Sequence, residues 1–357
     1  MPMLEGVVDG VIGVDTHKHT LTAAAVDPVG AVLDQQTDRA EPAGYQRLLT
    51  FGRRRVPGRR VWALEGAGSY GAGLAVFLAD HGEQVVEIDR PARPARRSGA
   101  KSDLLDAARA AREALAREHL ASPRARGTRE ALRVLLTCRH GAVTARTATI
   151  NQLKALLVSA PAQLRSQLAS VDAGELVGVC ARLRGHPTRP IEHTATVRAL
   201  RSTARRILAL QAEVDEVGEQ LGRLVAATMP ALLEVVGIGP VVAAQLLVSW
   251  SHPGRLRSEA AFAALAGAAP IPASSGKTVR YRLNRSGDRQ LNRALHTIVL
   301  ARRAHHPETR AYVARRTAQG KTSKEINRCL KRALARRLYK LLEATTHADR
   351  IKRLVTT

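Results

Sequence analysis

The stretch VDGVIGVDTHKHTLTAAAVDPVGAVLDQQ, residues 8–36, decides the fold. It holds three short runs suited to extended chain. The first, GVIGVD, is apolar and β-branched. A polar turn leads to TLTAAAV, and DPVG is a turn signal before AVLDQQ. Three strands joined this closely form a meander, because only antiparallel neighbours can be linked by turns so short.

Working outward, AGYQRLLTFGRR carries apolar residues at helical spacing, and RVWALE reads as a strand. GAGLAVFLADHG is a helix ending on glycine, and QVVEID is another strand. The basic loop RPARPARRSGAK precedes SDLLDAARAAREALA, a helix with Ser102 at its N-cap. The order is βββαβαβα. A meander followed by alternating strands and helices gives a mixed sheet covered by helices. This is the order of the ribonuclease-H-like fold, and it assigns residues 1–125 to an α/β domain.

Two acids end strands in this order, Asp15 in GVDTHK and Glu65 in ALEGAGSYG. The first and fourth strands lie side by side in such a sheet, so the two carboxylates meet at one edge. Asp103 and Asp106 are three apart and share a helix face. Each acid alone also fits an ordinary place: a turn after a strand, or the positive end of a helix dipole. Together they form a cluster of hard oxygen ligands suited to Mg²⁺ or Mn²⁺. Such a site supports in-line phosphoryl displacement. His17 and His19 are read as turn or surface residues, with lining of the site the lesser alternative for His17.

Residues 126–228 read as a helical connector. Two long stretches keep a 3.6-residue apolar period and are interrupted by GHPTRP. The second has the heptad-like spacing of a coiled coil or dimerising helix. Residues 229–357 form a mainly helical C-terminal domain. VVGIGPVVAAQLL (235–247) resembles a helix-hairpin-helix, in which the turn at Gly237 and Gly239 presents backbone N–H groups to a phosphate. Ser274 and Ser275 precede a glycine and then a run of cations: Lys277, Arg280, Arg282, Arg285, Arg289 and Arg293. These cations, with Lys101 beside the upstream acids, are candidate nucleic-acid contacts. A serine near clustered guanidinium groups could attack a phosphodiester. An ordinary Ser-Gly turn before a phosphate-clamping surface fits the same residues. The terminal KEINRCLKRALARRLYKLLEAT is a basic amphipathic helix.

Composition agrees with a polyanion partner. The 357 residues include 56 Lys and Arg against 31 Asp and Glu, a formal charge of +25. Aromatics make up only 3%, which argues against an extended base-stacking platform. Three scattered cysteines exclude a disulfide framework or a Cys-based zinc site. No signal-peptide pattern or membrane-length apolar run is visible. A soluble protein of a reducing cytoplasm, associated with the nucleoid, is expected.

GVDTHK, ALEGAGSYG, AKSDLLDAA, VVGIGPVVAAQLL and LAGAAPIPASSGK…RLNRSGDRQLNRAL occur in this order over nearly the whole chain. As a set they resemble the transposases of the insertion-sequence 110 family, the DEDD recombinases guided by a bridge RNA. The resemblance implies a RuvC-like domain, a coiled-coil connector and a C-terminal transposase domain. It makes Asp15, Glu65, Asp103 and Asp106 the DEDD acids and Ser275 the nucleophile, with Ser274 the adjacent alternative. It also implies a transient serine–DNA bond, donor and target DNA, and a structured RNA that selects both. The active unit would be a dimer or tetramer in which one subunit's acids work with another's serine. Two other functions use the same residues differently. A RuvC-like nuclease or junction resolvase would need no serine chemistry, and a non-catalytic basic protein would use the acids only as surface groups.

Overall fold

The computed structural model describes residues 4, 6–88, 102–186, 188–274, 281–282 and 284–355, with side chains as far as residue 344. The chain divides into two compact units, Met1–Ala125 and Arg126–Thr357.

In the first unit, β1 (Gly10–Thr16), β2 (Thr20–Val26) and β3 (Val32–Arg39) form the expected meander. Helix α1 (Pro42–Arg55), β4 (Arg60–Glu65), α2 (Ala72–Asp80), β5 (Gln84–Ile88) and α3 (Asp103–Ala116) follow. The sheet order is β3-β2-β1-β4-β5. β2 runs antiparallel to β1 and β3, while β4 is parallel to β1 and β5. β3 extends to Arg39, past the run that its apolar pattern marks. Its last residues are polar and partly exposed, and backbone pairing with β2 and a Thr22–Thr37 hydroxyl bond of 3.0 Å hold them.

The two-residue period of a strand sorts the sheet into faces. Ile12, Val14, Trp62 and Leu64 pack with α1 and α2 residues such as Leu48 and Leu74. Val11, Val61 and Ala63 face the opposite way, with Ala111 and Ala114 of α3. Helix α3 lies very close to the sheet because both surfaces are small. It buries Ala107, Ala108, Ala110, Ala111 and Ala114. Beneath them is Gly13, where a Cβ would stand 2.0 Å from the Ala107 carbonyl oxygen and 2.6 Å from the Ala111 nitrogen. A side chain at residue 13 is therefore incompatible with the helix where it lies.

The second unit is mainly helical. Helices α4 (Thr128–Val158) and α7 (Ile191–Thr228) run antiparallel. Arg146 donates to Gln211, and the Cys138 thiol lies 3.3 Å from Glu213. Short helices α5 (Ala162–Ala169) and α6 (Leu176–Arg182) close the far end over a core of Leu153, Leu164, Cys180 and Leu200. At the other end, Leu132 of α4 and Leu221 and Val225 of α7 join one core with later residues such as Leu246, Phe262, Leu295 and Leu338.

Those later residues belong to α8 (Pro240–Trp250), α9 (Glu259–Leu265), α10 (Arg289–His305) and α12 (Ser323–Val355), with α11 (Pro307–Ala318) before the last. A two-residue ribbon, β6 (Ile271–Pro272) with β7 (Tyr281–Arg282), precedes α10. Side-chain caps define three of these starts: Ser258 accepts from the Ala261 N–H, Asp288 from those of Gln290 and Leu291, and His306 from that of Thr309. Polar struts lock α12 down, with Trp250 Nε1 donating to Glu343 and the Tyr339 hydroxyl to the Leu256 carbonyl, both at 2.8 Å. Among the described residues, no helix is long and apolar enough to cross a membrane.

Candidate active site

Asp15 sits one residue before the end of β1, on the face covered by α3. Val14 pairs with Leu64, so Glu65 at the end of β4 is the next residue along the adjacent strand, on Asp15's face. The Thr16 hydroxyl donates to the Glu65 carbonyl at 2.7 Å and ties the two strand ends together. Immediately after Glu65 the chain turns on Gly66, whose φ of +70° suits a residue without a Cβ.

Helix α3 brings its first turn to this edge. Ser102 occupies the N-cap, as expected, but its side chain makes no capping bond; its carbonyl accepts from the Leu105 and Asp106 N–H groups instead. Asp103 is half exposed, and Asp106 forms an ion pair with Arg109 one turn on.

Between the strand and the helix stands His17, which by sequence alone is a turn or surface residue. Its backbone does close the β1–β2 turn, donating to the Thr20 carbonyl at 3.0 Å. Its ring points inward. Nε2 lies 3.2 Å from an Asp15 carboxylate oxygen and 3.4 Å from one of Asp103. One ligand atom from each of Asp15, His17 and Asp103 fits within a mutual spacing of 4.8 Å, compact enough for a single cation. The signal for His17 was present in GVDTHK, since residues i and i+2 of an extended chain share a face.

The electrostatics agree with a cation site. Burial is the largest influence on Asp15 and pushes its carboxyl above the ordinary range. The charges of Asp103 and Asp106 push the same way, and His17 pulls back through its charge and hydrogen bond. A nearly buried carboxylate facing two more acids is a costly arrangement that a bound cation relieves. The donor set of carboxylate oxygens with one imidazole suits a divalent ion of the Mg²⁺ or Mn²⁺ type, with imidazole more typical of Mn²⁺ than of Mg²⁺.

In the second unit, Gly237 has φ +90° and Gly239 caps α8, whose first residue is Pro240. Arg282, Arg285, Arg289 and Arg293 are all exposed, on β7, on the turn after it and on α10. Lys101, Ser275, Lys277 and Arg280 lie outside the described residues.

Comparison with known families divides along similar lines. A DEDD transposase model of the IS110 group matches residues 12–160, which contain all four acids. A second model, described as the transposase IS116/IS110/IS902 family, matches residues 229–314. The chain belongs to the IS110 family of transposases. Between them the two matches span the acid-bearing edge of the sheet and the arginine-rich segment through α10. No curated protein matches the chain. As an IS110-family transposase it acts on DNA, by strand cleavage and transfer.

Proposed function

We propose that this transposase recombines DNA with two sets of groups, a divalent-metal site on Asp15, Glu65, Asp103 and Asp106 and a nucleophile at Ser275. The observation that carries the reading is the meeting of Asp15, His17 and Asp103 at one sheet edge, inside the segment matched by the DEDD model. Glu65 on the neighbouring strand and Asp106 on the same helix turn lie outside that compact group, Asp106 paired with Arg109, and would complete the donor set by turning toward a bound cation. Mg²⁺ or Mn²⁺ bound there supplies Lewis-acid polarisation of a phosphodiester oxygen.

The chain's own residues do the rest. Asp15 anchors the site, because its strand and the close-packed α3 leave it little freedom. His17 stands between two of the carboxylates, its Nε2 3.2 Å from Asp15 and 3.4 Å from Asp103. The Ser275 Oγ attacks phosphorus: the Oγ–P bond forms, the P–O bond of the DNA strand breaks, the serine proton leaves, and the departing DNA oxygen ends as a hydroxyl. A second DNA hydroxyl attacks the phosphoserine, restoring a phosphodiester and the free serine. The bond energy of the original linkage is conserved, which separates strand exchange from hydrolysis. The motif set supports three further elements of the reading. A structured RNA encoded beside the gene selects donor and target, the active unit is a dimer or tetramer, and residues 126–228 connect the acid-bearing domain to the serine-bearing domain of residues 229–357. The turn at Gly237 and Gly239 contributes backbone N–H groups to a phosphate.

The test is recombination on donor and target DNA with the RNA that co-purifies from cells carrying the element. Ser275→Ala is expected to lose strand exchange and the covalent protein–DNA adduct. Asp15→Asn is expected to lose metal-dependent cleavage while retaining DNA binding. Full recombination by Ser275→Ala would overturn the serine chemistry and leave strand exchange to the metal site. An active Asp15→Asn enzyme would overturn the metal site.

A further inference from the structure

A groove of about 740 Å³ lies in the second unit, and none of the four acids lines it. One wall is the segment from β7 into α10, with Arg282, Arg285 and Arg289. The other is α12, with Arg328, Lys331 and Arg336. Nine basic side chains line it against one acid, Glu325. That acid is already engaged, its carboxylate accepting from the Thr322 N–H and hydroxyl at 2.8 Å. The floor is apolar and tight. Ala266, Ala268, Ala269 and Pro270 form it, and Gly267 abuts Gly287 so closely that a Cβ at residue 287 would stand 2.5 Å from the Gly267 nitrogen.

Asn292 braces the walls. Its Nδ2 donates to the Ala266 carbonyl at 2.6 Å, and its Oδ1 accepts from Lys331 Nζ at 3.0 Å. Burial first, and then the charge of Arg328, hold the Lys331 ammonium below its ordinary pKa. The groove is thus rigid, strongly cationic and short of anions.

One more feature selects the ligand. Tyr281 is 65% exposed at the groove, in a chain with few aromatic residues. An exposed ring beside an apolar floor, flanked by guanidinium groups, matches a base with its backbone phosphates. In a duplex the base faces are covered by their stacked neighbours, so only an unpaired nucleotide can lie on the ring. We propose that this groove holds a short single-stranded stretch of DNA, one base stacked on Tyr281 and the flanking phosphates between Arg285 and Arg328. The choice of DNA rests on the recombinase reading, since strand exchange passes through unpaired ends; the groove itself does not involve the carboxylates.

The experiment measures binding of full-length protein to a fluorescein-labelled 12-nucleotide DNA single strand, its duplex and the same sequence as RNA. EDTA is present throughout, so that the metal site plays no part. Single-stranded DNA is expected to bind more tightly than duplex or RNA. Tyr281→Ala should weaken it about 5- to 150-fold, the range for losing one stacked base. Tyr281→Phe should restore it, which a general defect in folding would not allow. Arg285→Gln with Arg328→Gln should flatten the dependence of log K on log salt by about 1.4, about 0.7 for each phosphate no longer neutralised. Unchanged single-strand affinity in Tyr281→Ala, or tighter binding of duplex or RNA, would overturn the proposal. Because EDTA keeps cations from the carboxylates, loss of the metal-site reading would leave this result standing.

Discussion

Gly13→Ala tests whether the site depends on how closely α3 lies on β1. The added methyl would sit 2.0 Å from the Ala107 carbonyl oxygen, 2.6 Å from the Ala111 nitrogen and 3.0 Å from the Ala111 Cβ. The two nearest atoms are helix backbone, so no side chain can rotate away. To restore ordinary contact near 3.4 Å, the helix must retreat by about 1.4 Å. Overpacking of this kind costs about 1–3 kcal/mol, offset in part by the ~0.5–1 kcal/mol that alanine gains over glycine within a strand. A unit of this size loses about 4 °C in Tm per kcal/mol, so a fall centred on ~5 °C and reaching at most ~10 °C is expected. The retreat carries Asp103 and Asp106 away from Asp15, and a displacement of about 1 Å in a catalytic constellation costs on the order of 100-fold in rate. The assays are differential scanning calorimetry and single-turnover strand cleavage. Gly141→Ala is the control: it lies within α4, nothing stands within 4 Å of its added Cβ, and it should gain about 1 kcal/mol with unchanged cleavage. Parental Tm together with parental cleavage in Gly13→Ala would refute the idea that this glycine sets the site.

Two further predictions concern charge. Burial raises the folded-state pKa of Asp15, so its ionisation costs the folded state: the stability of the metal-free protein is fullest below the unfolded pKa and falls as pH rises through the folded one. In EDTA at neutral pH, Asp15→Asn should therefore melt above the parent, an advantage that fades in acid. Mg²⁺ should raise the parent's Tm and not the variant's; equal Tm values in EDTA with equal responses to Mg²⁺ would refute a strained carboxylate held for a cation. Glu83 has the opposite sign. Burial raises its pKa, but hydrogen bonds from Arg60 at 2.6 and 2.7 Å, from Trp62 Nε1 at 3.0 Å and from Arg53 at 3.1 Å outweigh it and hold the carboxyl below its ordinary 4.5. The stability it contributes is present above the unfolded pKa and is lost as pH falls through the folded one. Glu83→Gln should cost about 3 kcal/mol at pH 7 and less toward pH 3 in urea unfolding, and an equal cost at both would count against the ion-pair account.

Much of the first unit was legible in the chain. Its strands are short, carry β-branched or alternating apolar residues and are punctuated by DPVG and by glycine, so local pattern and long-range pairing agree. Asp15, Glu65, Asp103 and Asp106 stand out in the sequence for the same reason: each sits where a pattern begins or ends, and the strand order puts the first two on adjacent strand ends. His17 ranked below the acids because a histidine in a polar turn looks like any other turn residue. Its role comes from a ring turned inward to two carboxylates, one of them 86 residues along the chain.

The groove in the second unit shows the other side. The arginines of 282–293 and the basic face of α12 are visible in sequence as two separate cationic runs. Nothing local says that they face each other across an alanine floor, or that Tyr281 stands between them. Asn292 and the Gly267–Gly287 approach establish that, and both are long-range packing facts. Periodicity and charge are encoded locally because each residue carries its own hydrophobicity, propensity and ionisation. Which charged faces meet, which carboxylate loses its water and which ring stays exposed depend on the packing of distant segments, and the folded chain alone decides them.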